Sequence, residues 1–192
     1  MKKESLLLLV AGVLLGAVLG FIATREYYEG KLAKAPAAAP HAQAAQPGQP
    51  ASPAFDPDQH KAMLDQIRAD IESNPADADK RIMLANIYFD GGKFDQAIPW
   101  YEEALRLQPQ NTDVLVDLGI CNRNLGKMRE ALAYFDKALG VDPKKRQALY
   151  NRVVVLLFDL KDKAGAERAL KDLEALYPED EMTKRLAQEV RK

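Results

Sequence analysis

Two hydrophobic rhythms divide this chain. Residues 5–23, SLLLLVAGVLLGAVLGFIA, form 19 consecutive positions without a charge. From residue 56 onward, apolar residues instead recur three and four apart among charges, as amphipathic helices require. The second rhythm predicts helices at about 57–73, 78–91, 95–108, 112–125, 129–141, 146–160, 164–176 and 180–190. Asp56 followed by Pro57 suits a helix start, and Met63, Leu64, Ile67 and Ile71 then make one stripe that ends at Asn74-Pro75. Pro99 is expected in the first turn of its helix, where a missing N–H costs little. At the far end, Met182, Leu186 and Val190 keep helical spacing among charges, which suits a helix that caps an open core.

The uncharged run is long enough to be a membrane anchor. At 1.5 Å per residue it reaches roughly 28 Å, close to the hydrocarbon thickness of a bilayer. A cleaved signal peptide is the competing reading, but its apolar run would span only about 7–15 residues. The nearest small-x-small triplet, Ala33-Lys34-Ala35, is followed by Pro36, a poor processing site. A retained anchor over residues 5–24, behind a tail of residues 1–4, is therefore expected. Lys2 and Lys3 lie before it and Arg25, Lys31 and Lys34 after it, so positive charge does not orient the span. So short a tail before a single span most often stays cytoplasmic, which sends the remainder outward, to the periplasm in a bacterium. Gly12, Gly16 and Gly20 fall on one helix face, a spacing that lets two such helices approach and join two copies of the chain.

Residues 25–55 read as a linker. Pro36, Pro40, Pro47, Pro50 and Pro53 punctuate an alanine- and glutamine-rich stretch with no apolar period. At roughly 3.1 Å per residue, the part from residue 34 reaches up to about 70 Å when extended. His41 stands alone in it and reads as a solvated residue.

Composition removes several classes of function. Lysine plus arginine number 27 against 28 acidic residues, a net charge of −1 that argues against nucleic acid as a partner. The single cysteine, Cys121, excludes a disulfide framework and reads as a small buried residue. Both histidines, His41 and His60, precede the first repeat, and the serines are Ser5, Ser52 and Ser73. No nucleophile–base pair, phosphate-cradling glycine loop or metal-ligating cluster can be assembled from these, so no catalytic site, no cofactor and no metal is expected. The acidic pairs Glu102-Glu103 and Asp180-Glu181 sit on lysine- and arginine-rich helices and read as solvated surface.

Residues 56–192 repeat with a period of 34. Segment 78–111 aligns with 112–145: Leu84 with Leu118, Ala85 with Gly119, Gly92 with Gly126, Ala97 with Ala131, Tyr101 with Phe135, Ala104 with Ala138, and Pro109 with Pro143. The small residues allow paired helices to approach, the aromatics fill the gap to the next pair, and glycine and proline close the first and second helices. This pattern resembles the tetratricopeptide repeat. The departures are Arg81, where the family favours tryptophan, and Asn122, where it has tyrosine. A degenerate third segment, 146–179, keeps Leu149, Leu156, Ala166 and Pro178 only if one residue is inserted near the inter-helix turn. Arg152 and Leu173 break it where the family has leucine and alanine.

The resemblance implies an all-α helical solenoid of about three repeats, flanked by helices and set behind the anchor and linker. It also implies a protein or peptide client, held where the first helix of each pair lines the inner surface. The family's groove positions fall on Ile82, Asn86, Phe89 and Asp90, on Val116, Ile120, Arg123 and Asn124, and on Tyr150, Asn151, Val154 and Phe158. The asparagines suit a peptide backbone, the apolar residues suit side chains, and Arg123 suits an acidic group or a C-terminal carboxylate. Members that clamp the acidic tail of a cytosolic chaperone carry lysine where this chain has Ile82, which argues against that ligand. The apolar run Val153–Phe158 leaves a second reading open, a groove partly filled by the protein's own C-terminal helix. Anchor, linker and repeats in that order resemble bacterial inner-membrane factors with periplasmic repeats, such as those of cytochrome c maturation or translocon-associated chaperoning. A self-associating scaffold without a client, and a signal-anchored receptor with its repeats in the cytosol, are the alternatives.

Overall fold

Short polar side chains cap half of the helices, and the turns within pairs follow a shared hydrogen-bond scheme. The computed structural model describes residues 60–192. The expected tail, anchor, glycine face and linker, His41 and the Asp56-Pro57 start all lie outside the described residues. Those residues form α1 (Lys61–Ser73), α2 (Ala78–Asp90), α3 (Phe94–Leu107), α4 (Thr112–Asn124), α5 (Met128–Val141), α6 (Arg146–Val154), α7 (Lys163–Leu176) and α8 (Glu181–Val190). A π-helical turn, Val155–Asp159, continues α6. Among the described residues there is no strand, and no helix is long and apolar enough to cross a membrane.

Asp77, Asn111 and Asp180 accept hydrogen bonds from the amides of Lys80, Val114 and Thr183, and so cap α2, α4 and α8. Asp162 caps α7 in the same way through Gly165 N–H. Two expectations are corrected. The first helix begins at Lys61 with His60 at its N-cap, not at residue 57. Because α3 starts at Phe94, Pro99 is its sixth residue and lies in the second turn. There its missing N–H leaves the Asp95 carbonyl without the usual helical donor.

Consecutive helices pack antiparallel in pairs, α2 with α3, α4 with α5 and α6 with α7, while α6 also touches α4 on one side and α8 on the other. The core runs through the stack in three clusters. Leu64, Ile67 and Ile71 of α1 join Leu84, Tyr88 and Tyr101 in the first. Leu115, Ile120, Phe135 and Val155 form the next. Leu149, Val153, Leu170 and Leu173 meet Leu186 and Val190 of α8 in the last. Leu173, a leucine where the family has alanine, is wholly buried there. Arg81 stands in for tryptophan by burying its stem, while its Nε donates to Glu103 at 3.1 Å and its Nη1 to the Asp77 carbonyl at 2.8 Å. Glu103 is thus an ion-pair partner and Asp180 a helix cap, rather than the plain solvated surface expected of them.

The third pair absorbs its extra residue in the π-turn. Lys93 N–H reaches back to the Tyr88 carbonyl, and Lys127 N–H to that of Asn122, each spanning five residues. The matching bond in the third pair runs from Asp162 N–H to Leu156 O and spans six. The insertion therefore lies between Leu156 and Asp162. Gly92 and Gly126 take left-handed backbone at φ 68° and 77°, and Lys161 takes the equivalent place at φ 57°.

Candidate peptide groove

The candidate groove is the face carried by α2, α4 and α6, the first helices of the three pairs. Helical spacing brings its twelve positions to that face, but not all of them reach the surface. Asp90, Asn124 and Phe158 are exposed, while Ile82, Asn86, Phe89, Arg123 and Tyr150 are half-buried. Val116, Ile120, Asn151 and Val154 are buried and belong as much to the core as to the face.

Most polar groups of this face are already engaged. Asn86 Oδ1 accepts a hydrogen bond from the Tyr101 hydroxyl at 2.6 Å. Asn124 Nδ2 donates to the Ile120 carbonyl, and Asn151 Nδ2 to that of Gln147, each at 2.8 Å. Arg123 meets an acidic group within the chain: its Nε lies 2.5 Å from Asp159 Oδ2. Phe89 stacks edge-on against Phe94 and Tyr101, with ring centres 5.5 Å and 6.4 Å apart. Val153 and Val154 pack in one cluster with Leu186 and Val190 of α8, so the apolar run is partly covered by the protein's own last helix. Phe158 at its end remains open to solvent.

Two acidic residues of this region escaped the sequence reading. Asp159 is brought to Arg123 by the π-turn. Asp117 lies inside α4, buried to 7% exposure, where burial, with Asp113 and Asp90 adding to it and Lys145 opposing, lifts its carboxyl to about 7. Its signal was a lone carboxylate in the apolar run Val114–Cys121. The Tyr101 hydroxyl donates to Asn86 and also pairs with the Asp117 side chain, an interaction that favours the Asp117 carboxylate and opposes the upward shift that burial imposes. Burial also pushes the Tyr101 phenol and the Cys121 thiol up, which keeps both protonated and Cys121 inert. Among the described residues no three His, Cys, Asp or Glu side chains group in a way that holds a metal ion.

The comparisons agree on the architecture. Three solved structures superpose on this chain, each at 19% identity, a likeness of fold alone. The Arabidopsis OM64 tetratricopeptide domain has a TM-score of 0.55 and covers 59% of this chain and 93% of its own. A MamA protein scores 0.59 over 71% of this chain and 75% of its own. A tetratricopeptide repeat protein from Parabacteroides merdae scores 0.63 over 68% of this chain and 52% of its own. No curated protein matches the chain. The family model described as tetratricopeptide repeat matches residues 64–112, 82–140 and 117–181. These overlapping matches cover more than half of the sequence, and the chain belongs to the tetratricopeptide repeat family.

Proposed function

We propose that this protein is a membrane-anchored, non-catalytic adaptor that holds a client polypeptide against the face of α2, α4 and α6. The observation that carries the reading is that Phe158 and Asn124 are exposed and Tyr150 is half-buried. These aromatic and polar side chains share the face that first helices present in this family. Their mixture suits an extended polypeptide, whose backbone needs polar partners and whose side chains need apolar ones. The uncharged run 5–23 and the proline-rich stretch after it support a tethered array at a bacterial inner membrane, with the repeats in the periplasm. A role in protein assembly, such as cytochrome c maturation or translocon-associated chaperoning, follows by analogy of that layout.

Photo-crosslinking tests the adaptor directly. A benzophenone amino acid replaces Phe158 in the full chain, in its native membrane. A crosslinked polypeptide other than this chain, lost when Asn124→Glu is added, supports the reading. Crosslinks to this chain alone favour the self-associating scaffold, and the absence of any crosslink overturns the adaptor. The order of Gly12, Gly16 and Gly20 favours the scaffold as second reading; Gly16→Leu abolishes membrane dimers if that face joins two copies. A reporter fused after Lys192 and active only outside the cytoplasm separates the periplasmic arrangement from the cytosolic receptor.

A further inference from the structure

The turns that close the first helices of the pairs carry side chains that the turns themselves do not require. Gly91 is the C-cap of α2, but Leu125 holds that place on α4 and Leu160 holds it after the π-turn. Gly92 and Gly126 then supply the left-handed residue, whereas Lys161 takes that backbone in the third pair. Glycine suffices at both places, as the first pair shows. The second and third turns instead expose leucine twice, and the third strains its backbone to keep a lysine.

The Arg123–Asp159 ion pair sets these two turns side by side, since it joins the end of α4 to the residue between Phe158 and Leu160. The π-turn also packs against α5. Leu125, Phe158 and Leu160, three of the eight large apolar side chains exposed among the described residues, thus gather at one edge of the array. Cations flank them: Lys127 and Arg129 around the start of α5, and Lys161 and Lys163 around the start of α7. All four are exposed, and their side chains have no hydrogen bond or ion pair among the described residues. Of the acidic groups in the same turns, Asp159 is paired with Arg123 and Asp162 folds back to cap α7. Glu130 alone remains exposed beside the cations without such a task. Positive charge is therefore in excess at this edge of a chain whose net charge is −1.

Apolar tips among unpaired cations suit the headgroup region of a bilayer. The tips enter the boundary with the acyl chains, and the long cationic stems keep their charges among lipid phosphates. An acidic polypeptide would match the charge as well. The tips, however, stand on separate turns at helix ends instead of lining a groove, and a lipid surface needs no groove. We propose that this turn edge docks on an anionic lipid surface, with Leu125, Phe158 and Leu160 inserted and Lys127, Arg129, Lys161 and Lys163 against the headgroup phosphates. The docking goes beyond the adaptor reading, with which it shares Phe158. It does not depend on the anchor, because these charges meet lipid whether or not residues 5–23 span it.

The test places an environment-sensitive fluorophore at Leu125→Cys in the full chain, where the buried Cys121 stays unlabelled. A second sample carries the fluorophore at Gln110→Cys, an exposed position beyond the other end of α4. Both are mixed with vesicles of phosphatidylcholine alone or of phosphatidylcholine and phosphatidylglycerol in equal parts. The expected result is brighter, blue-shifted emission from the Leu125 site with the anionic vesicles only, reversed by about 1 M salt. Lys161→Gly, which relieves the backbone and so keeps the fold, weakens this docking about five-fold. Lys127→Glu with Lys163→Glu abolishes it. No response, the same response to both kinds of vesicle, or an equal response at Gln110 overturns the docking. Flotation with phosphatidylcholine vesicles reports the anchor separately: a chain that floats while the Leu125 site stays dark with both kinds keeps the anchor and loses the docking. Polypeptide capture by the Phe158 crosslinker without a lipid response assigns the edge to the client and overturns the docking. A lipid response without capture leaves the docking in place and overturns the adaptor.

Discussion

Arg123 on α4 grips Asp159, the last residue of the π-turn, with two hydrogen bonds: Nε to Oδ2 at 2.5 Å and Nη2 to Oδ1 at 3.3 Å. The two residues are 36 apart in sequence, and 25% and 18% of their side-chain surfaces remain exposed. This pair links the second repeat to the third at the point where the third departs from its period. It also occupies the guanidinium that the family resemblance assigned to an acidic group of a client.

Removing the carboxylate leaves a partly sheltered guanidinium without its fork. Asp159→Ala is expected to destabilise the repeat domain by about 1–3 kcal/mol, read by urea denaturation. Arg123→Lys does not restore the wild-type midpoint in the reverse test, because an ammonium cannot reproduce the planar two-point contact. Equal stability of wild type and Asp159→Ala would show that the pair contributes nothing.

Asp117 makes stability depend on pH. Its carboxyl is lifted from the ordinary 3.8 to about 7, so between those values the folded chain holds a proton that the unfolded chain has released. Stability from this group is therefore fully present below pH 4, falls as pH rises through 7, and is level above it. The total change is on the order of 4 kcal/mol. Asp117→Asn is expected to remove that slope and to exceed the wild type in stability at pH 8, measured by denaturation at pH 5 and pH 8. A wild-type slope unchanged in the variant refutes the assignment.

Gly119 has no room for a side chain. A Cβ built there would stand 2.3 Å from Phe135 Cε1. Gly119→Ala is expected to lower stability by about 1–3 kcal/mol through overpacking, and pairing it with Phe135→Leu should recover part of the loss. Thermal melts of the two single variants and the double variant measure the coupling.

Lys161 holds the left-handed backbone that Gly92 and Gly126 supply in the other pairs. Lys161→Gly is expected to stabilise the protein by about 1 kcal/mol, and Gly126→Ala to cost about the same. If Lys161→Gly instead destabilises, a contact of the lysine side chain outweighs the backbone strain.

The repeat architecture was legible in the sequence because its causes are local. Leu84 and Leu118, Ala85 and Gly119, and Pro109 and Pro143 mark helix faces, close approaches and helix ends, each set by a few neighbouring residues. From α2 onward, the helix bounds read from spacing lie within a residue of those observed, apart from the π-turn that ends α6. The spacing also showed that the third repeat holds one residue too many. It could not say where the excess would go, since a π-turn, a bulged loop and a longer turn suit the same count.

What the tertiary structure decided were the pairings between helices. The face of α2, α4 and α6 followed from periodicity, but the burial of Val116 and Ile120 depends on how the next helix pair seats against them. Asp159 reaches Arg123 only because the inserted residue is taken up in the last turn of α6. Asn151 Oδ1 is buried without a hydrogen-bond partner because Phe135 stands where, one repeat earlier, Tyr101 serves Asp117. The sequence by itself determined the helices and their order, because backbone hydrogen bonding and side-chain periodicity act over a few residues. Which polar groups meet, and which are left waiting for a partner, was settled by the stacking of helix pairs, since that alone brings residues more than 30 apart within hydrogen-bond distance.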